Sequence, residues 1–490
     1  MIIARNWSFL AALVLGPVVL VGAVAGGQTV DYFTDNGFAN PLSTLQHPTA
    51  GYYKGTTYIA YQGPREDAYV CAYNHTTGTW SGPVLAGVSL MGKATNAIDN
   101  SEVDNHGKPA MIVDRKGYLH VVYGAHGGSA QLGSDPLGTP GGGKMMHVVS
   151  RKPGDISSWE VLDNISPFGT YTQFVKTDDG SIYLFYRHGS HRSDWVYQKS
   201  SDDGRTFSPA VSVLKHKTQE NDPSVHDAWY AWFAKGHGDT ITAIYSYHPC
   251  ANPAHSSGRF NAYYMKMNCT DGAWENAAGE RLTASITKEY ADQKTLISNS
   301  GTTRTDRGAC RVDAEGNPHL FFKYGGQVRY YQWTGRTWTT STGFVTGDGD
   351  LMVDSPTTTR MVLASRSGDA AEVGWWKTTD GGLTWAKGPT ILTRSGPSGD
   401  GLAIGALIEN HTPEGFIIVA ERVSTENLFR KMILLGMNGP VKRSEAEASQ
   451  IAELLKAIED SGIKPTNAWE AKRKKKEAQG KLPVVNPKPY

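Results

Sequence analysis

Residues 110–123 read Ala-Met-Ile-Val-Asp-Arg-Lys-Gly-Tyr-Leu-His-Val-Val-Tyr: a short apolar strand pattern, an Asp-x-x-Gly turn and a second strand pattern. The same arrangement returns at residues 174–186 and at residues 310–324. Glycine supplies the positive φ that such a turn needs, and the aspartate can bond the turn backbone. Repeated hairpins of short strands are typical of a β-propeller. We therefore predict an all-β chain folded as a seven-bladed β-propeller, while six or eight blades also fit the chain length.

A second repeat alternates with the first and ends in an aromatic residue. It is a Thr-Gly or Asp-Gly pair followed two to four residues after the glycine by Trp or Phe, and it occurs five times, at residues 77–80, 203–207, 271–274, 334–338 and 380–385. The fuller copies, residues 201–207 and 379–385, resemble the Asp-box hairpin of sialidase-type propellers. In such a hairpin Asp and Thr bond the turn backbone and the aromatic ring fills the gap between blades. We interpret this repeat as structural and assign it no catalytic role.

The two ends of the chain differ from this repetitive body. Residues 1–25 are typical of a secretory signal peptide, with Arg5, an apolar stretch at 9–21 and Ala23-Val24-Ala25 as a cleavage site, and a membrane anchor is the alternative. Residues 26–441 form the predicted propeller domain, and residues 442–490 a helical and basic tail. We expect the mature protein to be secreted, either extracellular or periplasmic.

The tail and the charge balance limit the partners that we expect. Ser444 and Glu447 form a possible capping box for a helix at 444–461, which Gly462 would end, and a basic run follows at 472–476. The formal net charge of the 490 residues is only +1, so an anionic ligand must be held by local cations. We predict a monomer that contacts neither nucleic acid nor, after signal cleavage, a membrane.

Several polar residues between positions 105 and 250 occur in a distinctive order and spacing. They are Asn105-His106, Tyr123-Gly124-Ala125-His126-Gly127, Tyr171, Phe185-Tyr186-Arg187-His188-Gly189 and Tyr247-His248-Pro249-Cys250. Together they resemble the ulvan lyases of polysaccharide lyase families 24 and 25, and the resemblance extends over about residues 40–430. It implies a seven-bladed propeller that cleaves a sulfated algal polysaccharide, ulvan, by β-elimination.

The chemistry of β-elimination gives an independent reason to single out these residue types. Removing the weakly acidic proton on C5 of a uronic acid requires a group that neutralises the carboxylate, a base, and an acid for the leaving oxygen on C4. Arginine suits the first task because its fork matches a carboxylate and stays charged. We therefore predict that Arg187 neutralises the carboxylate, with His106 beside it as a second donor or as the base.

The family resemblance assigns further roles. It implies that His126 and Tyr171 are the acid/base pair, for which Tyr183 and Tyr186 are rivals to Tyr171. We expect neighbouring cations to lower the tyrosine pKa. A histidine opposite a tyrosine would let one site process both glucuronate and its C5 epimer iduronate. Residues expected to contact substrate are Asn105, Tyr230 (or its neighbour Trp229) and Arg259, with Lys266 as a further candidate for sulfate.

A second group of residues indicates a metal site. His191, His248, Cys250 and His255 make a His3Cys set of the kind that zinc prefers, and the family carries a structural zinc with similar ligands. The spacing after Cys250 is short, so Cys269 is a rival to His255 as the last ligand. The alternative is a Cys250–Cys269 disulfide in an exported protein. No organic cofactor is predicted.

Other functions of the same fold remain open from the sequence. A sialidase-like glycoside hydrolase would need three arginines around the carboxylate and an Arg-Ile-Pro near its start, and the sequence has no such tripeptide. A non-catalytic glycan-binding propeller is opposed only by the Tyr-His-Arg set. A lyase of this fold acting on another uronic polymer, such as a glycosaminoglycan or glucuronan, fits the sequence as well.

Overall fold

The structure is a computed structural model that describes residues 28–42, 45–91, 103–218, 226–250, 258–395, 401–422 and 428–452, together with 456 and 460. The predicted signal peptide, His255 and the basic run at 472–476 lie outside these residues. Within them, the helical elements are α1 (Lys288–Lys294), α2 (Glu445–Ala448) and two short 3-10 turns, Pro64–Glu66 and Ala130–Leu132, and residues 452, 456 and 460 are helical as well. None of these helices is long and apolar enough to cross a membrane.

The remaining elements are strands. Those of the first half of the chain are β1 (Thr29–Val30), β2 (Thr34–Phe38), β3 (Ala50–Tyr53), β4 (Thr56–Gln62), β5 (Ala68–Asn74), β6 (Thr79–Gly87), β7 (Ala110–Val113), β8 (Leu119–His126), β9 (Gly142–Ser150), β10 (Trp159–Leu162), β11 (Thr170–Lys176), β12 (Ile182–Arg187), β13 (Trp195–Ser200), β14 (Val211–Leu214), β15 (Lys217–Thr218), β16 (His226–Lys235) and β17 (Thr240–His248).

The second half continues in the same way. Its strands are β18 (Phe260–Asn268), β19 (Trp274–Glu275), β20 (Arg281–Leu282), β21 (Leu296–Ser298), β22 (Thr305–Val312), β23 (Pro318–Tyr324), β24 (Gln327–Trp333), β25 (Trp338–Thr340), β26 (Gly347–Val353), β27 (Thr359–Ser367), β28 (Ala370–Thr378), β29 (Ala386–Ser395), β30 (Gly401–Thr412), β31 (Gly415–Arg422), β32 (Phe429–Gly436), β33 (Gly439–Pro440) and β34 (Arg443–Ser444).

The strands form an all-β, propeller-like arrangement of antiparallel sheets. Four sheets have four strands each: β7–β10, β11–β14, β22–β25 and β26–β29. A seven-stranded sheet contains β15–β20 with β21, and a nine-stranded sheet runs β2-β32-β31-β30-β3-β4-β5-β6 with β33 attached to β32. The described residues thus give four separate four-stranded blades, and the predicted count of seven is not confirmed by this pairing.

The first strands of the sheets lie side by side around the centre of the molecule. They contact one another in the order β3, β7, β11, β16, β22, β26 and β30, and β30 returns to β3. This last contact is the only parallel pairing inside the nine-stranded sheet and joins Gly51 to Glu409. The core between the sheets is rich in fully buried aromatic residues such as Trp195, Trp229 and Tyr263.

The predicted hairpin repeats all lie at one end of the sheets. The Asp-x-x-Gly turns join the first and second strands, as between β7 and β8, where Asp114 accepts hydrogen bonds from the backbone amides of Lys116 and Tyr118, both at 2.8 Å. All five Asp-box-like copies join third and fourth strands: β5–β6, β13–β14, β18–β19, β24–β25 and β28–β29. Their common position confirms that this repeat is a structural device.

The two fuller Asp-box copies have the same bonding. Asp202 accepts from the amide and the hydroxyl of Thr206 at 2.9 and 2.7 Å, and Asp380 accepts from the same groups of Thr384 at 3.0 and 2.6 Å. The aromatic residue that ends each copy packs against the preceding sheet, as shown by the ring of Phe207 at 5.9 Å from His147 of β9. The predicted function of the aromatic ring is therefore confirmed.

The beginning of the predicted tail packs onto the sheets. β34 pairs with β1, and the buried guanidinium of Arg443 donates to the carbonyl of Phe33 at 2.7 Å. The predicted capping box is wrong, because the side chain of Ser444 makes no cap hydrogen bond and α2 ends at Ala448. Of the predicted helix at 444–461, residues 449–451 are not helical, whereas residues 452, 456 and 460 are, and Gly462 lies outside the described residues.

Candidate active site

The predicted catalytic and substrate-binding residues lie at the end of the sheets opposite to the Asp-box turns. They occupy the starts of first and third strands and the ends of second strands, which share one end because the strands within each sheet are antiparallel. In chain order these residues are Asn105 and His106 before β7, His126 at the end of β8, Tyr171 at the start of β11, Arg187 at the end of β12, Tyr230 in β16 and Arg259 just before β18.

His106 and His126 form a stacked pair that is bridged by Asp104. Their ring centroids are 3.8 Å apart with an angle of 10° between the planes. One carboxylate oxygen of Asp104 contacts Nδ1 of His106, and the other lies 2.8 Å from Nδ1 of His126. Since an ionised carboxylate only accepts hydrogen bonds, both Nδ1 atoms carry a proton, and Nε2 keeps a lone pair in a neutral ring. The sequence analysis missed Asp104, although it stands two residues before His106.

The electrostatics of this group favour neutral imidazole. Burial and repulsion from His126 lower the pKa of His106 to about 4, against the opposing effect of Asp104. Burial alone would raise the pKa of Asp104, but its hydrogen bonds with His106 and His126 hold that pKa well below its usual range. The side chain of His106 is 36% exposed, so a neutral imidazole is accessible to a ligand.

Tyr171 adopts a backbone conformation that is unusual for a residue other than glycine. Its φ is +60°, at the point where the register between β11 and β12 shifts by a bulge. Bulges and left-handed backbone of this kind cluster at functional sites, where they redirect a side chain. The Tyr171 ring lies 5.5 Å from the ring of His106 and 5.8 Å from that of Tyr230.

Arg187 is buried beside these tyrosines. Its guanidinium carbon lies 4.9 Å from the ring centroid of Tyr171 and 5.7 Å from that of Tyr230, and the residue is only 1% exposed. Two of its nitrogens, Nε and Nη1, have no hydrogen-bond acceptor among the described residues. Unpaired buried donors on a charged group are costly, and a carboxylate is the ligand that best matches them.

The two tyrosines differ in acidity, and this corrects an expectation. Burial raises the pKa of Tyr171 well above its usual range, and Tyr230 adds to this effect despite the opposing arginines. Burial acts in the same direction on Tyr230, but Arg259 and Arg187 outweigh it and lower that pKa. The reason is position, since the guanidinium of Arg259 stacks 3.7 Å from the ring centroid of Tyr230. The expected lowering of the tyrosine pKa therefore occurs at Tyr230 and is wrong for Tyr171.

The alternatives to Tyr171 and Tyr230 lie outside this group of side chains. Tyr186 is fully buried in a separate cluster, and its hydroxyl bonds Gln198 at 2.8 Å. Tyr183 lies four residues before the end of β12, where Lys199 stacks on its ring. Trp229 is fully buried and donates to the carbonyl of Lys215. Lys266 lies far along β18 and pairs with Glu275, so it is not beside Arg259 and the expectation that it joins this site is wrong.

Asn105 is bound into the loop that carries His106. Its side-chain oxygen accepts from the amide of Asn40 at 3.2 Å and from Nε2 of Gln62 at 3.1 Å. Lys108 is buried and donates to the carbonyl of Asn105. These bonds hold the loop in place, so the oxygen of Asn105 already has protein partners.

Three of the four predicted metal ligands converge behind Arg187. The donor atoms of His191, His248 and Cys250 all lie within 4.8 Å of one another, with Nε2 of His191 2.6 Å from Sγ of Cys250. Nδ1 of His248 bonds the carbonyl of Gly258 at 3.0 Å, and this backbone contact orients the imidazole ring. The fourth predicted ligand, His255, lies outside the described residues.

The alternative of a Cys250–Cys269 disulfide is wrong, since no such bond is formed. Cys250 follows β17 at the Arg187 end of the sheet, whereas Cys269 follows β18 at the Asp-box end. The length of a nine-residue strand therefore separates the two sulfurs.

Comparisons with known proteins agree with this geometry. A model of the BNR repeat-containing family matches residues 56–343. An ulvan lyase of Nonlabens ulvanivorans is 45% identical over 439 residues, which cover 86% of this chain and 92% of that protein. An ulvan lyase of Alteromonas sp. (strain LOR) is 42% identical over 471 residues, covering 89% of this chain and 95% of the relative.

Solved structures give the same result. A structure described as a new family of polysaccharide lyase, PL25 ulvan lyase, superposes with a TM-score of 0.81 at 41% identity and covers 86% of this chain and all of that one. A second structure of this description, with the same TM-score, identity and coverage, is bound to -[GlcA(1-4)Rha3S]-. The likeness extends over most of both chains. This protein therefore belongs to the ulvan lyase family and is a polysaccharide lyase.

Proposed function

We propose that this protein cleaves ulvan by β-elimination at glucuronate or iduronate and leaves 4,5-unsaturated uronyl ends. The observation that carries the proposal is the pair of unpaired nitrogens on the buried Arg187, next to Tyr171 and the Asp104-bridged imidazoles. The substrate is supported by relatives named ulvan lyases and by the related structure bound to -[GlcA(1-4)Rha3S]-.

In the proposed first step the uronate carboxylate binds Arg187 and Arg259. Arg187 offers its free donors, and the side chain of Arg259 is 25% exposed and so the more accessible of the two. Charge neutralisation makes the second negative charge that develops on the carboxylate tolerable when C5 loses its proton.

The proposed base is Nε2 of His106. Asp104 holds the proton on Nδ1, and the lowered pKa keeps the ring neutral near pH 7. Nε2 takes the proton from C5, the electron pair forms the C4–C5 double bond, and the bond from C4 to the leaving oxygen breaks. His126 shares Asp104 and offers a second free Nε2 at the same place, so it is the alternative base.

The proposed acid is Tyr171. Its raised pKa keeps the phenol protonated, and the hydroxyl can donate that proton to the leaving oxygen on C4. Iduronate presents its C5 proton on the opposite face of the sugar. For iduronate Tyr230, whose pKa Arg259 and Arg187 lower, is the proposed base that takes the C5 proton, while Tyr171 again donates its proton to the leaving oxygen on C4.

We further propose a structural zinc held by His191, His248 and Cys250, with His255 as the fourth ligand. The convergence of three donor atoms and the backbone bond that orients His248 fit such an ion. A closed zinc site would supply no chemistry to the reaction. It would hold the loop after Arg187 against the end of β17.

We also propose that the fold has seven blades and that the protein is secreted. Counting the nine-stranded sheet as two blades joined at its single parallel pairing would give seven blades, and the ring of first strands supports this count. Secretion rests on the signal-like residues 1–25. A monomeric state stays a prediction.

The proposed function is tested by ultraviolet absorbance. Purified protein is mixed with ulvan, heparin, glucuronan and alginate, and the absorbance of the C4–C5 double bond is followed together with new reducing ends. We expect both signals to rise in parallel on ulvan. Reducing ends without the absorbance would indicate a sialidase-like hydrolase, and binding without either signal would indicate a non-catalytic glycan-binding propeller.

A further inference from the structure

A group of cations lies at the same end of the sheets as Tyr171, on the side formed by later strands. We call Lys108, Arg307, Lys323 and Arg422 the basic cluster. Lys108 precedes β7, Arg307 lies near the start of β22, Lys323 near the end of β23 and Arg422 at the end of β31. These positions share the catalytic end for the same reason of antiparallel pairing.

The carboxylates near the basic cluster are unevenly shared among its cations, and Asp104 and Glu66 act on Lys108 only through their charge. Asp348 pairs with Arg307 at 3.1 Å and with Lys323 at 3.3 Å. The neighbouring Asp306 is paired with Arg259. Among the residues that the structure describes, neither Lys108 nor Arg422 forms an ion pair, and Lys108 donates only to a backbone carbonyl.

The cations of the cluster repel one another. Burial and the charges of Arg307 and Arg422 lower the pKa of Lys108 to about 7. Burial and the charge of Arg307 likewise lower the pKa of Arg422. Placing like charges together in a poorly solvated position costs free energy, and a bound anion is the ligand that relieves this cost.

The basic cluster is continuous with the candidate active site on two sides. Lys108 stands two residues after His106 and is close enough to Asp104 for their charges to interact. On the other side the amide of Arg307 bonds Asp306, whose carboxylate holds Arg259. A polymer that binds Arg187 and Arg259 would therefore bring a neighbouring sugar to the cluster.

We propose that the basic cluster binds a second anionic group of the polysaccharide, carried by a sugar next to the one that is cleaved. The chemistry fits a sulfate ester or a second carboxylate, because both present several acceptor oxygens to Lys and Arg. This inference rests on the proposed function. It assigns the cluster to substrate binding and gives it no part in proton transfer.

The test compares Arg422→Gln with Arg336→Gln on two polymers. Arg422 lacks an ion pair, so its replacement leaves no carboxylate uncompensated, and Arg336 is an exposed arginine in an Asp-box turn at the opposite end. We expect Arg422→Gln to raise KM for ulvan by about 10-fold with little change in kcat, since a hydrogen bond to a charged group contributes roughly that factor. Lys108→Met provides a second variant, and the control should match the wild type.

Ulvan and chemically desulfated ulvan distinguish the two sources of the anion. If the rise in KM of Arg422→Gln disappears on the desulfated polymer, the bound group is a sulfate ester. If KM rises equally on both polymers, the bound group is a carboxylate. An unchanged KM for ulvan in folded Arg422→Gln and Lys108→Met proteins would overturn the inference. A wild-type protein that gives no unsaturated product would instead contradict the proposed function.

Discussion

The two ends of the same sheets are built in opposite ways. At the Asp-box end the polar groups of the turns find partners within a few residues, and the bonding around Asp202 is repeated at Asp380. At the other end Tyr171 has a φ of +60°, and two buried nitrogens of Arg187 have no partner within the described part of the chain. The end whose polar groups are hydrogen-bonded stabilises the strands. The other end keeps strained backbone and unpaired hydrogen-bond donors that a ligand can use.

This contrast explains how one set of strands performs both tasks. β11 and β12 are held at the far end by the turn in which Asp179 accepts from the amide of Ser181 at 2.9 Å. At the active-site end these two strands can therefore hold Tyr171 and Arg187 in energetically unfavourable conformations and still stay paired. Changes at the two ends should have separable effects, on activity at one end and on stability at the other.

The largest expected effect is loss of activity in Tyr171→Phe. Removing the proposed acid should lower kcat by about 1,000-fold, the scale of general acid catalysis, while the melting temperature stays close to that of the wild type. The measurement is the absorbance of unsaturated product from ulvan. Tyr186→Phe is the matched control, because its hydroxyl bonds the buried Gln198 in a separate core cluster, so the change should affect stability without affecting kcat. A near-normal rate in Tyr171→Phe would show that Tyr171 is not the acid.

The next effect concerns the metal site behind Arg187. Metal analysis of the purified protein should find about one zinc ion per chain, and Cys250→Ser should lose it. Binding of zinc to the folded state at a hundred times its dissociation constant adds about 3 kcal/mol to the free energy of unfolding. Removal by a chelator should therefore lower the melting temperature. Cys269→Ser, at the opposite end of β18, should keep the ion; a metal-free wild type would contradict the site.

The smallest effect is expected at the Asp-box end. Asp202→Ala removes an acceptor for the amide and hydroxyl of Thr206 and should lower the free energy of unfolding by about 1–3 kcal/mol, with kcat/KM unchanged. Denaturant unfolding measures the first quantity and the ulvan assay the second. Asp163→Ala is the control, because that carboxylate is exposed and pairs only with Lys144. If Asp202→Ala lowered kcat/KM without changing the free energy of unfolding, the two ends would not have separate functions.

The sequence predicted the parts of the fold that depend on neighbouring residues. The Asp-box and Asp-x-x-Gly turns were found because their hydrogen bonds join residues two to four positions apart, as in Asp114 and Tyr118. Asp104 was missed because its second partner, His126, is 22 residues away. The signal that could have found it is the Asp104-Asn105-His106 triplet, in which a carboxylate stands two residues before the candidate base.

By itself the sequence determined an all-β, propeller-like chain, the residue types of a lyase site and their order along the strands. Tertiary structure decided that Cys250 and Cys269 lie at opposite ends of a strand and that Arg259 reaches Tyr230 rather than Tyr171. The pKa of each tyrosine depends on its burial and on charges from distant parts of the chain. A hairpin can be predicted from a few neighbouring residues, because its hydrogen bonds are local. The protonation state of a side chain cannot, because it depends on groups that only the folded chain brings together.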